Sequence, residues 1–219
     1  MPPGIDPAVE FKRQQLDEHT WVDFARGWIV DQQAVYDALT ESAKWRQNQL
    51  WRYEKYIPEP RLTVGWSPKQ PIPHPVLLDA HKAIQSHYGV TFGGFAMNWY
   101  RDGEDCQAFH RDRDMRYCEN TIVALLSLGE RRPWLLRRRD RRDKWIAANG
   151  GAVYDLSPAG GDLMVLGGRA QLDWEHSVPQ VRGATGRLGR ISVQWRWTSG
   201  TGRPEPGGSY GAPRHFSRR

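Results

Sequence analysis

Apolar positions recur every fourth residue at Val35, Leu39 and Ala43, which predicts a helix over 31–47 with Asp31 as its cap. The same spacing at Val76, Ala80 and Ile84 predicts a second helix over Pro75–Tyr88, with a proline in its first turn. From Phe95 onward the period shortens. Six β-prone runs follow: Phe95–Tyr100, Thr121–Leu128, Trp134–Arg138, Ala152–Leu156, Asp162–Leu166 and Gly189–Trp197. The turn sequences RDGED, SPAGGD and GATGR separate several of them. Six prolines in 58–75 exclude regular structure there, apart from a short strand at Leu62–Trp66. Residues 1–10 read as a loose arm. Helices followed by six or more short strands predict an α+β domain built on a sandwich or barrel.

A chain of 219 residues can bury one sizeable core, and its 39% hydrophobic and 26% charged residues exclude global disorder and a collagen-like chain. No apolar stretch reaches the roughly 18 residues of a membrane span, so no membrane association is expected. The N-terminal residues carry no apolar run after a basic start, so no secretory signal is read there. Two cysteines, Cys106 and Cys118, cannot staple a fold of this size; they suggest a reducing, cytoplasmic setting and fit buried, inert thiols.

Charge changes the picture more than composition does. The net charge is +6, yet residues 130–144 alone hold eight Arg or Lys against three acids, and 200–219 hold four Arg against one Glu. The rest of the chain is therefore slightly acidic. A local basic patch built from Arg137, Arg138, Arg139, Arg141 and Arg142 suits a polyanion such as nucleic acid; a solvated loop kept soluble by its charge is the alternative. Eleven tryptophans are too many to be anything but mostly core, although Trp51, Trp66 or Trp99 could stack on a base.

Candidate chemistry centres on His110-Arg111-Asp112. In an extended segment, residues two apart point to the same side, so an imidazole and a carboxylate can converge. With a distant imidazole they would form the two-His-one-carboxylate triad that leaves open positions on Fe(II). A hydrogen-bonded surface pair is the alternative. The candidate third ligand is His176, which follows an apolar strand and a Gly167-Gly168 turn. The other five histidines read as structural or solvated. In the last strand Arg190, Ser192, Gln194 and Arg196 share one face and Ile191, Val193 and Trp195 the other. An inward row of this kind is costly unless an anion meets it, and a dicarboxylate would suit two guanidinium forks. An edge strand with one wet face is the alternative.

As a set, Asn98-Trp-Tyr100-Arg-Asp102-Gly-Glu-Asp105, His110-x-Asp112-x-Asp114, His176, and Arg190 with Arg196 resemble the AlkB family of Fe(II)/2-oxoglutarate-dependent dioxygenases, over Pro60 to Trp197. Pro60-Arg61-Leu62-Thr63 and Gln171-x-Asp173-Trp174-x-His176-x-Val178-Pro179 are most similar to its nucleic-acid demethylases. The resemblance implies a double-stranded β-helix (jelly-roll) core over 94–199. Ahead of it would lie an arm over 1–20 and a helical, proline-rich nucleotide-recognition segment over 21–93; a disordered basic tail over 200–219 would follow. It implies Fe(II), 2-oxoglutarate and molecular oxygen as cofactor and co-substrates, with His110, Asp112 and His176 as metal ligands. Asn98, Tyr100, Arg190, Ser192 and Arg196 would hold 2-oxoglutarate, and Asp114, Arg61, Thr63 and Trp174 the substrate. The implied activity is oxidative demethylation of 1-methyladenine- and 3-methylcytosine-type lesions in DNA or RNA, by a monomer. The alternative is a 2-oxoglutarate-dependent hydroxylase of a protein or small molecule. Ser192 and Gln194 stand where the family usually has Asn and Thr.

Overall fold

The computed structural model describes residues 2–52, 54–139, 152–181 and 189–199. The GATGR turn, Arg141, Arg142 and the 200–219 segment lie outside them. The chain opens with short strands β1 (Gly4–Ile5), β2 (Lys12–Gln15), β3 (Thr20–Ala25) and β4 (Ile29–Val30), then helix α1 (Gln32–Ser42). A hairpin, β5 (Gln49–Arg52) and β6 (Lys55–Pro58), precedes β7 (Leu62–Trp66) and α2 (Pro75–Tyr88). There follow β8 (Phe95–Tyr100), β9 (Gln107–His110), β10 (Thr121–Gly129), β11 (Leu135–Arg138), β12 (Val153–Asp155) and β13 (Leu163–Gly168). A single turn, α3 (Ala170–Asp173), leads into β14 (Trp174–Val178) and β15 (Arg190–Thr198).

Among the described residues, most strands form two antiparallel sheets, and β1-β4 and β5-β6 pair separately. The larger has the order β2-β3-β13-β10-β15-β8-β7, the smaller β12-β11-β14-β9. Strand β10 shows why its sequence is almost wholly apolar: it is covered on both faces. Ile122, Ala124, Leu126 and Leu128 pack with Leu39, Leu77 and Ile84 of the two helices. Val123 and Leu125 pack with Trp134, Leu136, Met164 and Trp174 in a second core. Strand β15 obeys the same alternation, with Ile191, Val193 and Trp195 fully buried in the helix-side core. The polar row Arg190, Ser192, Gln194 and Arg196 is thereby turned to the opposite face.

Three expectations need correction. Residues 1–10 are not simply a loose arm, since β1 pairs with β4, and within the 1–20 arm β2 also pairs with β3, which joins β13 in the larger sheet. With β7 also in that sheet, the segment ahead of residue 94 is partly built into the β core. Asp31 occupies the cap position of α1 in a left-handed conformation (φ 49°) and makes no side-chain capping bond. His74 does cap α2, its Nδ1 accepting from Val76 N–H at 3.3 Å. At the end of β13 two glycines are required. A Cβ on Gly167 would collide with the Trp21 indole, and Gly168 adopts φ +65° against the His19 carbonyl.

Candidate metal and co-substrate site

Strands β9 and β14 set the site. Their antiparallel register makes His110 the direct partner of His176, and the two imidazoles lie 4.2 Å apart between centroids. Asp112 follows β9 by two residues, its backbone N–H donating to Gln171 Oε1 at 2.7 Å. Gln171 is fully buried on α3, so the turn that leads into His176 also holds Asp112. One ligand atom from each of His110, Asp112 and His176 falls within 4.8 Å of the others. The His110 Nδ1 lies 2.9 Å from the Ala108 carbonyl. That contact fixes the proton on Nδ1 and frees Nε2 for a metal. The His176 ring is stacked on Trp134, 5.1 Å away and nearly parallel at 10°.

Electrostatics prepare the same three groups. Burial pushes His176 down to about 3, with the adjacent His110 adding to the effect, and burial likewise lowers His110. Both imidazoles are then neutral near neutral pH, the state in which they ligate metals. Asp112 is held well below the usual carboxylate range: the neighbouring Arg196 and the histidines overcome the opposing effect of burial. Arg196 donates from Nε to Asp112 Oδ2 at 2.9 Å and from Nη2 to Oδ1 at 3.3 Å. Its Nη2 also donates to Gln194 Oε1, and Gln194 Nε2 donates to Ser192 Oγ at 3.3 Å. The two residues that depart from the AlkB pattern are therefore wired to the ligand carboxylate through Arg196.

Arg190 is the other anchor. It is fully buried, and among the described residues none of its three side-chain nitrogens has a hydrogen-bond partner. Burial lowers it to about 10, so it remains a cation at neutral pH. A buried, partnerless guanidinium is strongly unfavourable, and a carboxylate in bidentate contact is what would relieve it. Tyr100 stands opposite Arg190 in the β15–β8 register and Asn98 opposite Ser192, placing all four side chains on the face turned to the metal cluster. Tyr100, Asn98, Ser192 and Arg196 line a cavity of ≈ 600 Å³ together with the three candidate ligands. The donor set fits Fe(II), and a cation facing a polar wall fits the far carboxylate of 2-oxoglutarate.

The remaining candidates divide. Arg61 and Thr63 line the cavity, Arg61 paired with Glu59 at 3.1 Å and Thr63 Oγ1 accepting from Asn48 Nδ2 at 3.0 Å. Asp114 does not line it: the residue is exposed, and its charge acts on Arg196. Trp174 is not a substrate contact. It is 3% exposed in the core between the sheets, and its indole N–H donates to Asp17 Oδ2 at 2.8 Å. Replacing Trp174 by Phe should cost about 1–3 kcal/mol of stability through the lost bond and volume. The Michaelis constants should stay unchanged, as denaturant titration beside steady-state kinetics would show.

The basic patch is also redrawn. Arg137 donates from Nη2 to Glu175 Oε2 at 3.0 Å and covers the Phe109 ring at 3.8 Å. Arg139 lies 3.8 Å from the other Glu175 oxygen. Arg132 is fully buried, its Nη atoms donating to the carbonyls of Asp102, Asp105 and Pro179. Much of the described segment is spent on internal contacts rather than offered to phosphates, with Arg138 half-buried. Conversely, Glu59, Gln107, Arg113 and Arg116 line the cavity, and no local pattern marked them. The Cys118 thiol is buried and that of Cys106 half-buried; neither joins the metal cluster.

A family model described as the 2OG-Fe(II) oxygenase superfamily matches residues 31–196. The chain is 27% identical over 192 residues to the alpha-ketoglutarate-dependent dioxygenase alkB homolog 3 of Rattus norvegicus, covering 81% of this chain and 62% of that protein. It is 28% identical over 202 residues to the Mus musculus protein of the same description, covering 85% and 64%. The DNA oxidative demethylase ALKBH2 of Homo sapiens is 32% identical over 113 residues, 52% of this chain and 42% of that protein. The chain thus spans less than two thirds of the length of these curated relatives. Among solved structures, OsALKBH1 superposes with a TM-score of 0.51 at 16% identity, covering 84% of this chain and 99% of that one. A Pseudomonas putida prolyl-4-hydroxylase superposes equally, over 82% and 93%. At such identities the likeness speaks for the jelly-roll fold. With the family match spanning most of the chain, this protein belongs to the 2OG-Fe(II) oxygenase superfamily.

Proposed function

We propose that this chain oxidatively demethylates N-alkylated bases of the 1-methyladenine and 3-methylcytosine type in nucleic acid. Oxygen and 2-oxoglutarate would be consumed with Fe(II) as the resident cofactor, and succinate, carbon dioxide and formaldehyde released. The observation that carries the reading is a three-ligand cluster in one cavity, with the buried Arg190 standing behind that cavity's wall opposite Tyr100 and without a hydrogen-bond partner among the described residues, in a chain similar to AlkB homologues. When bound, the metal supplies oxygen activation coupled to decarboxylation of the keto acid. The chain's residues supply the positioning. Arg190 pairs with the far carboxylate, and Asn98, Tyr100 and Ser192 flank the body of the co-substrate. Arg196 holds Asp112 ionised and aimed. Trp134 limits the tilt of His176. A methyl group hydroxylated in this cavity leaves a hemiaminal, which loses its hydroxyl proton and breaks its C–N bond, giving formaldehyde and returning the bonding pair to the ring nitrogen.

Arg61 and Thr63 form the nucleotide side of the wall. Glu59, already paired with Arg61, stands in that wall, whereas Asp114 does not. Reaching a base within a duplex requires its extrusion, which costs a few kcal/mol and less for a damaged pair. The test is mass spectrometry of oligonucleotides carrying single defined lesions, incubated with Fe(II) and 2-oxoglutarate in air. A loss of 14 mass units per methyl group (CH2) with stoichiometric formaldehyde is expected. Succinate formation with every methylated oligonucleotide left intact would move the assignment to a protein or small-molecule hydroxylase.

A further inference from the structure

A second groove of ≈ 600 Å³ lies against β7 on the helix side of the larger sheet. Thr63, Val64 and Gly65 line both this groove and the metal-site cavity, so the two meet at the sheet edge. The groove is floored by Val64, Trp66, Ile72 and Met97, and Lys44 and Arg46 stand exposed at its rim. No acidic side chain lines it. Trp66 is held rigidly: its indole N–H donates to the Gln70 and Pro71 carbonyls, each at 3.0 Å. One face of the ring lies on Phe95, with centroids 4.9 Å apart.

The edge between the two cavities has a defined polarity. Strand β7 ends the seven-stranded sheet, and Thr63 turns its backbone outward, accepting from Arg46 N–H at 3.0 Å and donating to the Arg46 carbonyl at 2.8 Å. Backbone direction alternates along a strand, so Gly65 presents its N–H and C=O to the same edge. No strand pairs with Gly65 there among the described residues. Gly65 is exposed and has no side chain, so an anion can approach its amide closely.

We propose that this groove holds the nucleotide adjacent to the target base on the same nucleic-acid strand, with the connecting phosphate crossing the sheet edge at Gly65 between Lys44 and Arg46. The inference rests on the demethylase reading and adds a flanking-nucleotide subsite to it. A base has an apolar face for the rigid indole, and its backbone has the charge that two exposed cations lack. The groove has the volume of an ordinary ligand pocket. The described arginines of 130–144 that pair with Glu175 or with loop carbonyls have their charge committed elsewhere.

The experiment compares the protein with its Lys44→Ala/Arg46→Ala double variant on a pentanucleotide with one central 1-methyladenine and on 1-methyladenosine monophosphate. In the variant, pentanucleotide affinity should fall about tenfold. The slope of log K against log salt should become shallower by about 0.7, the value for one phosphate on a single strand. Mononucleotide kcat/KM should not change. In the unaltered protein, a 5-iodouracil next to the methylated base should crosslink within 42–46 or 64–73. Unchanged pentanucleotide affinity in the variant, or crosslinks confined to other segments, would overturn the subsite and leave demethylation standing. No binding or turnover of the pentanucleotide by the unaltered protein would overturn both.

Discussion

Replacing Arg190 by methionine is expected to weaken 2-oxoglutarate binding by at least about a hundredfold while raising the thermal stability of the co-substrate-free protein. The two effects have opposite signs for one reason. Without an anion, Arg190 is a fully buried cation whose three nitrogens lack partners among the described residues, a state that an apolar side chain of similar length removes. A gain of about 1–3 kcal/mol follows for the unliganded protein. With 2-oxoglutarate present, the far carboxylate has lost its bidentate partner in a desolvated site. A loss of about 3–5 kcal/mol then weakens binding by roughly 10²- to 5 × 10³-fold. Melting curves with and without 2-oxoglutarate read both numbers together. A variant that binds the keto acid within about threefold of the unaltered protein would detach Arg190 from the co-substrate. An unchanged melting point would instead mean that the native guanidinium is solvated.

Asp112→Ala and His110→Ala should lose turnover alike, by at least about a thousandfold, because each removes one of three ligands from the metal. They should differ in stability. Asp112 is the ion-pair partner of Arg196, at 2.9 Å, and that guanidinium keeps only 34% of its side-chain surface exposed. Removing the carboxylate strands a half-buried cation and should cost about 1–3 kcal/mol beyond the loss of metal. His110 has no such partner: its contact is with the Ala108 carbonyl at 2.9 Å, which turns to water at modest cost. Metal content by atomic emission, with denaturant unfolding of both metal-free variants, separates ligation from scaffolding. Retention of stoichiometric iron by Asp112→Ala would remove that carboxylate from the metal's coordination.

Much of the architecture was legible because local period and burial agreed. The helix over Pro75–Tyr88 and the strand over Leu62–Trp66 carry their full pattern within a few residues, and the structure gives them those bounds. The run Thr121–Leu128 reads as a strand, and the structure gives β10 over Thr121–Gly129, with burial on both faces that the run alone does not foretell. Strands β3, β9 and β14 were not legible. In β9 only four residues carry the pattern. In β14 every residue is buried, including Glu175, whose charge is met by Arg137 on the neighbouring strand. A buried carboxylate reads as surface until its partner is known. The same blindness explains the patch, where a count of arginines carries no information on which of them are already paired. Trp174 stands two residues from His176 and shares its strand, yet it fills the core and ties down Asp17. Residue spacing gives the side of a strand but not how far along it the cavity extends.

The amino-acid sequence by itself determined the donor types, two imidazoles and a carboxylate, and the alternation that puts Arg190, Ser192, Gln194 and Arg196 on one face. Both follow from side-chain chemistry and from the two-residue period of an extended backbone. Only the tertiary structure decided that His110 and His176 are register partners, that Arg190 is buried without a partner, and which arginines are already spent on Glu175 and loop carbonyls. Those outcomes depend on pairing between segments far apart in the chain. Such pairing is settled by the packing of two sheets against each other, not by any local run of residues.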